Sequence, residues 1–198
     1  MARRNWLPGA SNEARGAELC VRNGSDDDFV AAAQQGEPAA QRWLYEEHRG
    51  CVYRLMVRMV GVQDAADVTQ QVFLQVLRTI GQFSRRSKFR TWLYRLAVNE
   101  ALQHLRRKER SKFLPLEHEI VDGSPTHTRR SERVELLEQA LSRLDSDLRC
   151  VFLLREVDGL PYRDIAVALN VPEGTIGSRL NRARRLLRDH LTELGWQP

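Results

Sequence analysis

Apolar residues recur along the chain at helical spacing, and no run alternates apolar and polar positions as a half-buried strand would. From Phe29 to Val60 the pattern is helical with one break at Gly36-Glu37-Pro38, and further breaks stand at Gly61 and Gly81. Ser25 followed by Asp26, Asp27 and Asp28 marks the first helix start, because a hydroxyl cap and acids in the first turn satisfy and complement the free amides there. Residues 1–24 mix Pro8, Gly9, Gly16 and Gly24 with scattered charges and read as a flexible extension. Between Ser111 and Arg130 the periodicity collapses into Pro115, Gly123, Ser124, Pro125 and Thr126, a polar tether. Beyond it Val134, Leu137, Leu141 and Leu144 form one stripe, Val151 to Leu154 another, and two short helices meet at Asn170-Val171-Pro172. The pattern predicts an all-α chain of two small helical domains joined by a flexible linker: a first domain over 25–112, the linker over 113–130 and a second domain over 131–198.

The closing helix pair carries the sharpest signal. Leu160 to Leu169 is amphipathic with Tyr162, Ile165, Ala166 and Leu169 inward, and Pro172 stands where a first helical position tolerates it. In the next helix Ile176, Leu180, Ala183 and Leu187 make the seam, leaving Thr175, Ser178, Asn181, Arg182, Arg185 and Arg188 on the far side. This is a helix-turn-helix, whose second helix enters a major groove with early side chains at base edges and later arginines on phosphates. An αα-hairpin with a basic solvent face is the plainer alternative. Residues 64–80 on a helix place Val68, Val72, Phe73, Val76, Leu77 and Ile80 on one broad arc. The opposite arc holds Asp64, Asp67, Gln71, Gln75 and Arg78 around Leu74, either a solvated face with one stray leucine or a protein-docking patch.

Charge sharpens this picture through its distribution rather than its sum. The 198 residues are 42% hydrophobic and 29% charged with a net +5, a globular composition. Segment 78–112 alone nets +9, between segments 26–77 and 113–160 that each net −4. Within the basic segment Phe83, Phe89, Trp92 and Tyr94 interleave with Arg85, Arg86, Lys88, Arg90 and Arg95. Cations attract phosphate and aromatic faces stack on unpaired bases, so the segment suits single-stranded nucleic acid. Trp92, Arg95, Asn99 and Arg106 share one helical face; Phe89 and Tyr94 suit a core equally well.

Catalytic chemistry is not legible. Cys20, Cys51 and Cys150 are too few and too far apart for a disulfide framework or a thiolate zinc site, which fits a reducing cytoplasm. His48-Arg49-Gly50-Cys51 reads as a buried cysteine beside a surface histidine. No phosphate loop, nucleophile elbow or metalloprotease motif is present, so no catalytic residue, metal or cofactor is expected. The longest uncharged stretch, Val68 to Leu77, is too short to span a bilayer.

Three stretches carry a resemblance. Asp64-Ala65-Ala66-Asp67-Val68-Thr69-Gln70-Gln71-Val72-Phe73-Leu74, then Phe89-Arg90-Thr91-Trp92-Leu93-Tyr94-Arg95-Leu96-Ala97 with Asn99, resemble region 2 of the bacterial extracytoplasmic-function sigma factors. Tyr162 to Ala166, Val171-Pro172-Glu173-Gly174-Thr175-Ile176 and Ser178-Arg179-Leu180-Asn181-Arg182-Ala183-Arg184 resemble their region 4. The resemblance implies that Asp64, Asp67, Gln71, Leu74, Gln75 and Arg78 dock on the clamp helices of the polymerase β′ subunit. It implies that Phe83, Ser84, Arg85, Arg86, Lys88, Trp92, Arg95, Asn99 and Arg106 open and hold the −10 element. Thr175, Ser178, Arg179, Asn181, Arg182 and Arg185 are expected to read the −35 element, with the second domain also touching the polymerase β flap. An anti-sigma partner, or packing of the two domains on each other, is expected to hold the free protein inactive.

The chain departs from the family pattern at Thr69, where an aliphatic residue is usual, and at Gln71, where Glu is usual. Gly177 replaces a common Lys, and Asp145-Ser146-Asp147 a more usual Pro-containing stretch. Two other classes compete at this level: a stand-alone helix-turn-helix regulator of duplex operators, and a nucleic-acid enzyme using the acidic helix for metal.

Overall fold

The computed structural model describes residues 26–112 and 132–196, and every regular element among them is helical. The expected extension over 1–24, the Ser25 cap and most of the tether lie outside the described residues. Four helices build the first module: α1 (Asp26–Gln34), α2 (Pro38–Val60), α3 (Val62–Thr79) and α4 (Phe89–Lys112). The breaks fall where backbone chemistry demands them. Pro38 opens α2 at a position that needs no amide donor. Gly61, at φ 92° and ψ 162°, lets α2 stop and α3 start within one residue, a conformation closed to side chains with a Cβ. A short 3₁₀ turn, Ile80–Gln82, leads into the loop before α4. The last helix of this module runs through Lys112, two residues into the stretch read as tether.

Val30, Leu44, Val52, Leu55, Met56, Met59, Val72, Val76, Leu93 and Val98 fill the centre of this module, each fully buried aliphatic contributing about 1.5–3 kcal/mol relative to exposure. The second module comprises α5 (Glu132–Ser142), α6 (Ser146–Phe152), a π turn (Leu153–Val157), α7 (Tyr162–Leu169) and α8 (Glu173–Glu193). Between α7 and α8, Asn170 adopts the left-handed conformation at φ 52°, which its short polar side chain tolerates, and the Val171 amide donates to the Ala166 carbonyl at 3.0 Å. Ile176, Leu180, Ala183 and Leu187 are fully buried, the seam expected of a helix-turn-helix. The modules touch: α7 lies against α4, and α5 and α6 against α2.

Two expectations change on folding. His48 is buried rather than on the surface, edge-on to Trp43 and 5.2 Å from Phe89, with Nε2 3.4 Å from an Asp26 carboxylate oxygen. Its ring closes the gap between α1, α2 and α4, which an isolated H-x-x-C pattern does not disclose. Leu77, placed on the buried arc by periodicity, is 45% exposed, because that arc is wider than the surface α2 covers.

Candidate nucleic-acid and protein-docking surfaces

On α3, Asp67, Gln71, Leu74 and Arg78 are exposed and Gln75 is half-buried, so most of the predicted arc forms one open strip. Leu74, 37% exposed, is the apolar centre of that strip. Asp64 behaves differently. Its Oδ2 accepts hydrogen bonds from Lys108 Nζ at 2.8 Å and His104 Nε2 at 3.0 Å, both on α4. The Lys108 hydrogen bond is the main cause holding its carboxyl below the usual range, against burial, which pushes it up. A depressed carboxyl stabilises the fold while ionised, so this tie is fully made above the ordinary carboxylate range and fades as pH falls through the folded value. Asp64 therefore braces α3 against α4 in addition to standing at the end of the strip. Thr69 is buried, and its hydroxyl finds no hydrogen-bond partner among the described residues, a local cost that the usual aliphatic residue avoids.

The aromatic-basic segment divides into two layers. Phe83, Phe89 and Trp92 pack ring to ring with centroids 5.1 to 6.0 Å apart, and Phe83 and Trp92 are 5% and 7% exposed. The expectation that these two rings lie open to stack on bases is corrected: the loop folds back over the start of α4 and buries them as its footing. Ser84, Arg85, Arg86 and Lys88 stand above that footing, the first three exposed and Lys88 open at the mouth of α4. Gln34 of α1 holds the loop, its Nε2 donating to the carbonyls of Ile80 at 3.0 Å and Phe83 at 2.9 Å while its Oε1 accepts from Arg85 at 3.1 Å. Arg85 itself sits at φ 56°, an uncommon conformation for a residue with a Cβ that this bond helps to fix. Nothing in the sequence near Gln34 signals this role, since its partners lie 46 to 51 positions downstream. Along α4 the exposed Arg95, Asn99 and Arg106 continue the surface at helical spacing.

On α8, Ser178, Asn181, Arg182 and Arg185 are exposed and Thr175 and Arg179 half-buried, so the six predicted positions share the outward side of one helix. Arg179 Nη1 lies 3.9 Å from Asp147 Oδ2 across a cleft of about 550 Å³ lined also by Asp145, Ser146, Ser178 and Arg182. Arg184, further along, instead pairs with Glu156, tying α8 to the π turn that follows α6. A Cβ on Gly177 would meet only Tyr162 at 3.8 Å, so a side chain there is sterically allowed. Among the described residues no three His, Cys, Asp or Glu side chains gather as a metal site, and no helix is long and apolar enough to cross a membrane.

Comparisons with known proteins fall on the same two modules. Residues 44–111 match the family model for sigma-70 region 2, and residues 134–187 that for sigma-70 region 4. The RNA polymerase sigma-H factor of Pseudomonas aeruginosa is 34% identical over 176 residues, 82% of this chain and 91% of that protein. The ECF RNA polymerase sigma-E factor of Escherichia coli K12 is 33% identical, with coverage of 82% and 92%. Among solved structures, CnrH in complex with the cytosolic domain of CnrY aligns with a TM-score of 0.65 at 25% identity, over 86% of this chain and 99% of that one. The sigma factor RpoE of Bartonella quintana, in complex with the anti-sigma factor NepR, shares the fold at a TM-score of 0.62 and 21% identity, over 76% and 96%.

Proposed function

The chain belongs to the extracytoplasmic-function sigma factors of the sigma-70 family, which direct promoter-specific initiation by RNA polymerase, and from that premise we propose how its residues divide the work. The first module, residues 25–112, docks on the β′ clamp helices of core polymerase through Asp67, Gln71, Leu74, Gln75 and Arg78, with Asp64 bracing the strip from its end. The same module opens and holds the −10 element with Ser84, Arg85, Arg86, Lys88, Arg95, Asn99 and Arg106, while Phe83 and Trp92 support the loop from below. The second module, residues 131–198, reads the −35 element with Thr175, Ser178, Arg179, Asn181, Arg182 and Arg185 and touches the β flap. The chain performs no reaction of its own and works where DNA and polymerase meet, in the cytoplasm. By analogy with RpoE, whose solved complex carries the anti-sigma factor NepR, an anti-sigma protein restrains it.

The observation that carries this division is the separation of surfaces. An open apolar-centred strip on α3, a cationic loop before α4 and a polar-basic face on α8 occupy three different elements and do not overlap. A stand-alone operator binder has no need of the first two. The −35 assignment is tested by selecting binding sites from a randomised duplex with wild-type protein and with Ser178→Ala and Asn181→Ala. Removing one side chain that reads a base edge is expected to cost about 1–3 kcal/mol at that position and relax preference there. Identical selected sequences from all three proteins would overturn the assignment.

A further inference from the structure

One side chain of α1 ties the cationic loop to the helical body of the first module. Phe29 of α1 stacks on Trp43 of α2 with ring centroids 4.0 Å apart, and Val30 and Ala33 are buried, so α1 is itself firmly seated. Its last turn is closed by backbone groups: the amides of Gln35 and Glu37 donate to the Ala32 carbonyl, and that of Gly36 to the Ala33 carbonyl. The Gln34 side chain is therefore not needed to cap its own helix, and its three hydrogen bonds reach residues 46 to 51 positions away. Two of them bracket the 3₁₀ turn, at its first residue Ile80 and at Phe83 just after it, and the third takes the Arg85 guanidinium.

The ring cluster of Phe83, Phe89 and Trp92 secures the start of the loop, but Ser84, Arg85, Arg86 and Lys88 extend past it into solvent. An unsupported loop loses conformational freedom when it grips a DNA strand, and that loss subtracts from affinity; a loop already held in its working form is spared it. Gln34 gives this support where the backbone is least relaxed, since Arg85 stands at φ 56°. The kind of acceptor matters as well. A neutral amide oxygen orients the guanidinium without cancelling its charge, and a guanidinium carries five N–H donors, so one bond to Gln34 leaves others for a phosphate. A carboxylate at the same place would neutralise the cation and repel the strand. We propose that Gln34 is a positioning residue for promoter opening, holding the segment from Ile80 to Lys88 in the form that captures the separated strand. This inference rests on the assignment of the loop to the −10 element. Helix α1, which the division of labour above leaves without a task, becomes the support of the opening loop.

The test follows strand opening by permanganate, using the full chain, core polymerase and promoter fragments that carry its selected −35 site. Gln34→Leu, which removes all three hydrogen bonds, should slow opening about tenfold, the scale of losing a hydrogen bond to a charged group. Assembly with core enzyme and the choice of −35 sequence should stay as in wild type. Gln34→Glu, nearly isosteric, carries the same expectation should the leucine variant lose helix content, because a carboxylate cannot donate to the two carbonyls and neutralises Arg85. A double-mutant cycle separates positioning of the loop from general support of the fold. Arg85→Asn places a residue that tolerates the left-handed backbone, and in that background Gln34→Leu should slow opening only about threefold further or less, as expected when two changes act on one element. Opening at the wild-type rate in both Gln34 variants, or losses that multiply in full in the double variant, would overturn the proposal. Wild-type protein that opens no promoter would refute the functional reading and the proposal with it, whereas wild-type opening indifferent to Gln34 overturns the proposal alone.

Discussion

Replacing Leu74 by arginine will cost the protein more than about tenfold in affinity for core RNA polymerase while leaving its helix content unchanged. Leu74 is a large apolar side chain set beside the polar Asp67, Gln71, Gln75 and Arg78, with the exposed Leu77 one turn on, and it stands out from α3 rather than into the core. An apolar residue ringed by polar neighbours has the anatomy of an interface anchor, and truncating such an anchor costs about 2 kcal/mol or more. Arginine there also brings an unpaired charge into the interface. Because the side chain is already partly in water, the free protein sacrifices little packing. Co-purification and competition binding with core enzyme read the effect. Undiminished binding would remove α3 from the polymerase interface.

Reversing the charge of the loop by Arg85→Glu, Arg86→Glu and Lys88→Glu will abolish open-complex formation while sparing assembly with core enzyme. These cations stand above the buried Phe83, Phe89 and Trp92 rings, on a loop fixed in place by Gln34. Removing one cation from a phosphate lowers the salt slope of DNA binding by about 0.7 to 0.9, and reversal adds repulsion. The loop is a separate element from α3, so polymerase docking is retained. Absence of permanganate reactivity at unpaired thymines, with co-purification intact, is the expected pair of results. Persistent opening would make the loop a structural connection only.

The helix-turn-helix was legible because its signals are local. Four buried residues at helical spacing in α8 and the Asn170-Val171-Pro172 turn specify the pair with little help from distant parts of the chain. The break residues Gly36, Pro38 and Gly61 were equally plain, each acting through its own backbone. What periodicity could not give is which flank of a helix a neighbour covers. Trp92 satisfies both the face shared with Arg95 and Asn99 and the ring cluster with Phe83 and Phe89, and only the fold-back of residues 84–88 decides for the cluster. Asp64 reads as a free acid until α4 brings Lys108 and His104 to it from 44 and 40 positions away. The seat of Asp158 between Arg90 and Tyr94 is more remote still, since it joins two modules whose separate patterns carry no sign of each other.

The central claim is that this chain confers promoter specificity on core RNA polymerase. It is met most directly by adding the purified full-length protein to core enzyme on a library of promoter fragments and sequencing the transcripts. Defined start sites that appear only when the protein is present, downstream of a shared pair of −35 and −10 sequences, are the predicted result. Transcripts unchanged by the protein, despite its binding duplex DNA, would contradict the account and favour a stand-alone DNA-binding regulator.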